Sequence, residues 1–374
     1  AALANAALFH GRGQEDTCGA AHLGAIMIPM LTALAEARRY PLERLIPALV
    51  AGYETGGLLE RAYAPKTTPK GLRSSPLYGT LAAAAAASRM MALSAERTAA
   101  AIGNAASFTG GILQSFSDGT DEWRYQVGWA ARNGLLAAEL AAAGSVTAPH
   151  AIEGPAGLAR AFAGVECDVA GLAARLGKEW SIDRVTFKPF PVCAFNQTPV
   201  LAALEARETI AGRAIGKVRV RMNPYETGYA GMDSKGPFRT ISGTLMSIPF
   251  CIALTLLRGT PTMAAMTTYD DGEVNALVER IDLIPDEGVA QLCCVIEADL
   301  EDGGTMLVDK RMTTDDFNFD RAAVSELVRR IGAEQGVPAQ AYERIERFVE
   351  TLPQAEIGLV VGAFALCPSA GRAG

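Results

Sequence analysis

From residue 20 to residue 183 the sequence is dense in alanine, and its apolar positions recur at three- and four-residue steps between short turns. PLERLIPALVAGYETGGLLERAYA and SPLYGTLAAAAAASRMMALSAERTAAAIGNAASF show the pattern. Alanine is the best helix former and leaves no bulk between helices, so this half predicts a closely packed helix bundle. Ser94, three residues ahead of Arg97, reads as a helix N-cap, and Gly110-Gly111 ends the helix that follows.

After Trp180 the character changes. KVRVRM (217–222), LCCVIEADL (292–300) and TMLVDKRM (305–312) are β-branched and alternating, and EDGG joins the last two as a hairpin. TLMSIPFCIALTLLRG and DGEVNALVERI, between the strands, are helical by period, and the tail returns to amphipathic helices in DRAAVSELVRRI and QAYERIERFVETL. The expected fold is mainly α: a large discontinuous all-helical domain (1–184 and 317–374) interrupted by a smaller α+β lid domain (185–316). No repeat of 20 to 50 residues is present.

With 374 residues, of which 49% are hydrophobic, the chain can bury a core without metal or disulfide staples. A net charge of -7 argues against nucleic acid or an anionic membrane as partner. The seven cysteines form no CxxC pair and no zinc spacing, which fits reduced thiols in a cytoplasm. No apolar run is long enough to span a bilayer, and no secretory leader is recognisable. The opening AALANAALFHG reads as the middle of a helix, so the expectation is that earlier residues are missing.

Three segments carry more chemistry than packing needs. YAPKTTPKGLRSSPLYGT (63–80) reads as a proline-stiffened loop that gathers Lys66, Lys70, Arg73 and several hydroxyls ahead of a helix, a clamp for carboxylate or phosphate. SFSDGTDEWRYQVGWAARNG (115–134) brings acids, Arg124 and Tyr125 to a helix start; Asp118 or Thr120 as cap accounts for the acids and leaves Arg124 as a ligand candidate. RVTFKPFPVCAFNQTPV (184–200) surrounds Lys188 with apolar residues, a setting that favours an acid role if the ammonium is desolvated and plain snorkelling if it is not. Of the three histidines, His22, shortly after Asp16-Thr17, is the best general base on offer. No P-loop, GxGxxG in a strand–helix context, HExxH or GxSxG is present, and neither a cofactor nor a metal is expected.

EDT followed by His22, GLRSSPLYGTLAAAAAASRMMAL, SDGTDEWRYQVGWAARNGLLAAELAAAG, IEGPAGLARAF and FKPFPVCAF together resemble MmgE/PrpD proteins. That resemblance implies a helical domain with an inserted lid, usually in a homodimer, acting without cofactor on small polycarboxylates. It carries His22, Lys188 and Asp16 over as catalytic candidates and Thr17 as a pocket position. Lys70, Arg73, Tyr78 and Arg124 complete the expected substrate-binding set. At Gly13, Arg73 and Gln197 the chain departs from the family's Asp and His residues, and this removes acid/base groups. The expected activity is that of a lyase of the 2-methylcitrate dehydratase type. An epimerase of the iminodisuccinate type and a non-catalytic ligand-binding descendant are the alternatives.

Overall fold

A computed structural model describes residues 1–368. Seven α-helices build residues 2–142: α1 (Ala2–Phe9), α2 (Leu23–Arg38), α3 (Leu45–Thr67), α4 (Ser74–Met90), α5 (Ala95–Phe108), α6 (Gln114–Asp118) and α7 (Glu122–Ala142). The alanine run lies in α4, which is buried along nearly its whole length and packs against α2, α3, α5 and α7. Small side chains are what let these backbones meet: a Cβ on Gly134 of α7 would lie 2.4 Å from Ala83 Cβ in α4. Ser94 caps α5 by accepting from Arg97 N, as its position predicts. The helical core also takes Phe348 and Val360 from the C-terminal helices Ala339–Thr351 and Gly358–Phe364, so both ends of the chain contribute to it.

A second core belongs to the inserted α+β part. Its sheet has the order β4-β3-β5-β6, built from β3 (Ile215–Met222), β4 (Ile281–Pro285), β5 (Cys293–Leu300) and β6 (Thr305–Arg311). β3 runs parallel to β4 and antiparallel to β5, and β5–β6 is the expected hairpin. In β3 the period of two sends Val218, Val220 and Met222 inward. Arg219 and Arg221 then face Asp299 (2.8 Å) and Glu297 (3.1 Å) across the strand pair. Helices Gln197–Ile210 and Ile248–Arg258 cover the apolar face. Leu113, Phe116 and Trp123 reach from the helical half into this second core and tie the two parts together.

The structure departs from the sequence expectation at four points. Residues 63–80 are not a loop: α3 continues to Thr67, one 3-10 turn covers Thr68–Lys70, and α4 starts at Ser74. Pro65 sits in the last turn of α3, where the helix is about to end anyway. TLMSIPFCIALTLLRG is two helices broken at Ser247, whose hydroxyl caps the second. Strand β4 carries only the short apolar stretch IDLIP and was not expected. Neither Asp118 nor Thr120 caps α7; its N-cap residue is Asp121, which makes no side-chain capping bond.

Two further short strands matter for the site. β1 (Thr17–Cys18) pairs antiparallel with β2 (Val185–Thr186), Thr17 opposite Thr186. Their hydroxyls are 2.8 Å apart. This ladder brings the 10–22 segment beside residues 185–188, the start of the inserted part. No helix among the described residues is long and apolar enough to cross a membrane.

Candidate active site

The segment HGRGQEDT folds as a 3-10 turn, His10–Arg12, closed by Gly13 in the left-handed region at φ 62°. Past the turn, Glu15 points back beneath His10. Glu15 Oε1 lies 2.6 Å from His10 Nδ1, 2.7 Å from His22 Nδ1 and 3.7 Å from Lys188 Nζ. The His10 contact is an aligned hydrogen bond. The His22 contact is short but misaligned, leaving Nδ1 without a hydrogen-bond partner, so it is an electrostatic approach. Lys188, 3% exposed, donates to the carbonyl oxygen of Gly13. The position where the acid looked lost therefore meets the lysine through its backbone, and Glu15 supplies a carboxylate close by.

Arg73 completes the cluster from the N-cap position of α4. It is 2% exposed; Nη2 lies 2.7 Å from His10 Nε2, and Nη1 donates to Trp123 O and, at 3.2 Å, to Gln126 Oε1. The guanidinium stands 4.9 Å above the Phe116 ring, and Trp123 packs edge-on to His10 at 4.6 Å.

His10, His22, Arg73 and Lys188 face a chamber walled by Trp123, Cys193 and Tyr229. It encloses about 40 Å³, room for one carboxylate-sized group. Glu15 lies behind the two imidazoles and does not itself line the space.

Burial dominates the electrostatics. Desolvation, with Lys188 adding to it, brings His22 down to about 3, and desolvation brings His10 to about 4 against the pull of Glu15, so both rings are neutral at pH 7. For Glu15 burial works upward, but His10, Lys188 and His22 outweigh it and hold the carboxyl well below its usual range. Desolvation lowers Arg73 to about 10, which leaves it charged. His10 has both nitrogens taken, by Glu15 and Arg73, so the chamber offers one neutral imidazole, His22, as proton acceptor beside fixed positive charge, a setting suited to a carboxylate.

His10, Glu15 and His22 also bring three ligand atoms within 4.8 Å of one another. A cation there would meet Lys188 at 3.7 Å from the shared oxygen and Arg73 on the far nitrogen of His10. The surroundings therefore oppose a divalent ion and favour an anion.

Of the residues singled out in the sequence, His22, Lys188, Arg73 and Thr17 meet around the chamber. Asp16 lies just outside it, accepting from Tyr53 Oη at 2.6 Å, and burial raises it to about 6. Tyr78 is fully buried and shares its hydroxyl with Thr67 Oγ1 at 2.8 Å, away from the cavity. Lys70 lines an outer cleft and donates to Phe162 O. Arg124 stacks on Trp123 and approaches Asp121 at 3.6 Å on the outside of the wall. None of these three lines the chamber. His10 and Glu15 were missed, because only Arg73 and Lys188, far along the chain, make them part of a site.

The profile of the MmgE/PrpD N-terminal domain matches residues 1–168, and that of the C-terminal domain matches residues 190–313. The chain is 35% identical over 156 residues to a cis-aconitate decarboxylase-like protein, oryM, of Aspergillus oryzae (39% of this chain, 32% of that protein). It is 30% identical over 224 residues to human cis-aconitate decarboxylase (58% and 46%). With the Aspergillus terreus cis-aconitate decarboxylase it shares 25% over 303 residues (72% and 59%). The chain thus spans about a third to three-fifths of the length of these relatives. Two adjoining domain profiles in family order, on a helical body with an inserted α+β part, establish that the chain belongs to the MmgE/PrpD family.

Proposed function

We propose that the chain is a cofactor-independent lyase that moves one proton at a carbon next to a carboxylate of a small di- or tricarboxylate. The observation that carries this reading is the convergence of His22, Lys188 and Arg73 on one buried chamber. Arg73 and Lys188 hold the carboxylate and stabilise the charge that develops when the neighbouring carbon loses a bond. A single well-placed donor of this kind is worth about 3 to 4 kcal/mol in a dry site. Neutral His22 accepts a proton, and Lys188 is placed to return one. Loss of water takes a proton from that carbon onto His22 and returns one from Lys188 to the leaving hydroxyl, whereas loss of carbon dioxide breaks a carbon–carboxylate bond, takes no proton, and needs only one delivered to the carbon left behind.

Because the relatives named above are cis-aconitate decarboxylases, decarboxylation of an unsaturated tricarboxylate is the first reaction to test, ahead of dehydration of 2-methylcitrate. Incubation with cis-aconitate, 2-methylcitrate, citrate and iminodisuccinate, followed by NMR, is the experiment. The reading expects one of the first three to lose carbon dioxide or water. Inversion of iminodisuccinate, with the other three untouched, would replace the lyase by an epimerase.

A further inference from the structure

Helix α2 begins at Leu23, and His22 is its N-cap residue, a position whose side chain ordinarily accepts from an N–H in the first turn. The His22 ring makes no such bond; it is turned to Glu15 and the chamber. The cap comes from elsewhere in the chain. Asp16 sets Oδ1 against Gly24, whose N–H in the first turn of α2 stabilises the ionised carboxyl, and its Oδ2 accepts from Tyr53 Oη of α3 at 2.6 Å. On the other side of the same turn, His22 N donates to Ser75 Oγ of α4 at 3.1 Å. The neighbouring acids thus divide the work: Glu15 meets the ring, and Asp16 meets the backbone that carries it.

The fit at this junction is close. A Cβ on Gly24 would lie 2.0 Å from Asp16 Oδ1 and 2.7 Å from Tyr53 Oη, so any larger residue must push the acid off the helix end. The titratable groups that bear on Asp16 are Tyr53 from α3, Glu15 beside it, Cys18 from β1 and Lys188 from the start of the insert. Burial, with Glu15 adding to it, brings Asp16 up to about 6, whereas His10 and His22 lie at about 4 and about 3 and Glu15 is held well below its usual range. Of these four groups Asp16 alone changes charge just below neutrality. Its negative charge is also the one that the positive end of α2 favours.

We propose that Asp16 is a positioning residue: ionised, it caps α2 from outside the helix, so holds the His22 ring against Glu15 at the chamber wall, and it touches no substrate. Its effect on turnover rests on the reading above, in which His22 takes a proton; its hold on the ring does not. When Asp16 is protonated the grip on the first turn of α2 weakens, and the ring drifts from the place where it works.

The test is NMR of isotope-labelled histidine ring nitrogens in the full chain, which holds three histidines, as pH is lowered from 8 to 5. Wild type is compared with Asp16→Asn, Tyr53→Phe and Gly24→Ala, and His22→Gln identifies the signal. Deuterium exchange into the acid that turns over is read alongside. In the wild type the His22 ring signals are expected to move with a midpoint near pH 6 without the ring taking a proton, and exchange to fall about tenfold on the acid side, the worth of one helix cap. Tyr53→Phe removes a donor to the ionised carboxyl, so both midpoints should move upward in pH. Asp16→Asn should abolish the midpoint and exchange about tenfold slower at pH 8 while the acid binds within about twofold of wild type. Gly24→Ala should displace the ring signals at every pH. His22 signals that keep their wild-type positions in folded Asp16→Asn and Gly24→Ala, or midpoints that stay put in Tyr53→Phe, would overturn the proposal. Ring signals that respond as expected while no acid exchanges in the wild type sink the lyase and leave the positioning; exchange in the wild type with unmoved ring signals in the variants does the reverse.

Discussion

Desolvating a glutamate between two imidazoles and a lysine is expensive, and Glu15 persists there because every neighbour within ion-pair reach is a nitrogen. Its role follows from that geometry: it orients His10, sets the field on His22, and compensates Lys188 without touching the space a ligand would fill. Replacing it by Gln leaves the lysine unmatched in a dry site, which is expected to cost about 3 to 5 kcal/mol in chemical denaturation. Glu15→Gln combined with Lys188→Met should lose clearly less than the sum of the two single changes, as a coupled buried pair does. Additive losses would show that the two residues do not act on one another. Glu15 and His10 were unreadable in the sequence for a physical reason: an acid and a histidine on a short turn look like surface residues until Arg73 and Lys188 are folded against them. Lys188 was the opposite case. Its flanking FKPFP made the apolar surroundings visible in one dimension, and the structure buries it to 3%.

At the scale of elements, the β1–β2 ladder decides whether a site exists. Two residues on each side join segments far apart in sequence, and Gly19 makes the turn that follows β1. Gly19 has φ 61°, and a Cβ there would come within 2.2 Å of the Glu60 carboxylate. Gly19→Ala therefore pays twice, in backbone strain and in pushing Glu60 off Ala20 N, and should lower stability by about 2 to 3 kcal/mol. Gly177→Ala, at φ 73° with nothing within 4 Å of its Cβ, is the control that carries the backbone part alone, about 1 kcal/mol. Equal melting temperatures for the two variants would contradict the close packing of Gly19 on Glu60. Two-residue strands leave no periodic signal, so the ladder was invisible beforehand, while the eight-residue strand β3 and the alanine-rich α4 announced themselves by their period. The segment 63–80 misled because three prolines and two lysines resemble a loop; Pro65 and Pro76 in fact lie within helices, Pro76 in the first turn of α4, where a missing N–H costs nothing.

For the whole molecule, the helical body and the inserted α+β part each have a core, and the chamber lies where Trp123 and Phe116 of the body meet Tyr229 and Leu245 of the insert. That division was legible from the change of pattern after Trp180. Which way each candidate side chain turns was not, because Tyr78 and Lys70 find hydrogen-bond partners away from the chamber and Arg124 stacks on Trp123 once the helices are packed. The cleft between the two parts narrows to about 40 Å³ among neutral imidazoles and fixed cations. The most direct test is proton exchange by NMR in D2O, next to the carboxylate of whichever acid binds, in the wild type and in His22→Gln. The account predicts steady incorporation of deuterium at one carbon by the wild type and a loss of roughly a hundredfold or more in the variant, with the fold intact by circular dichroism. Equal exchange in both proteins would contradict it.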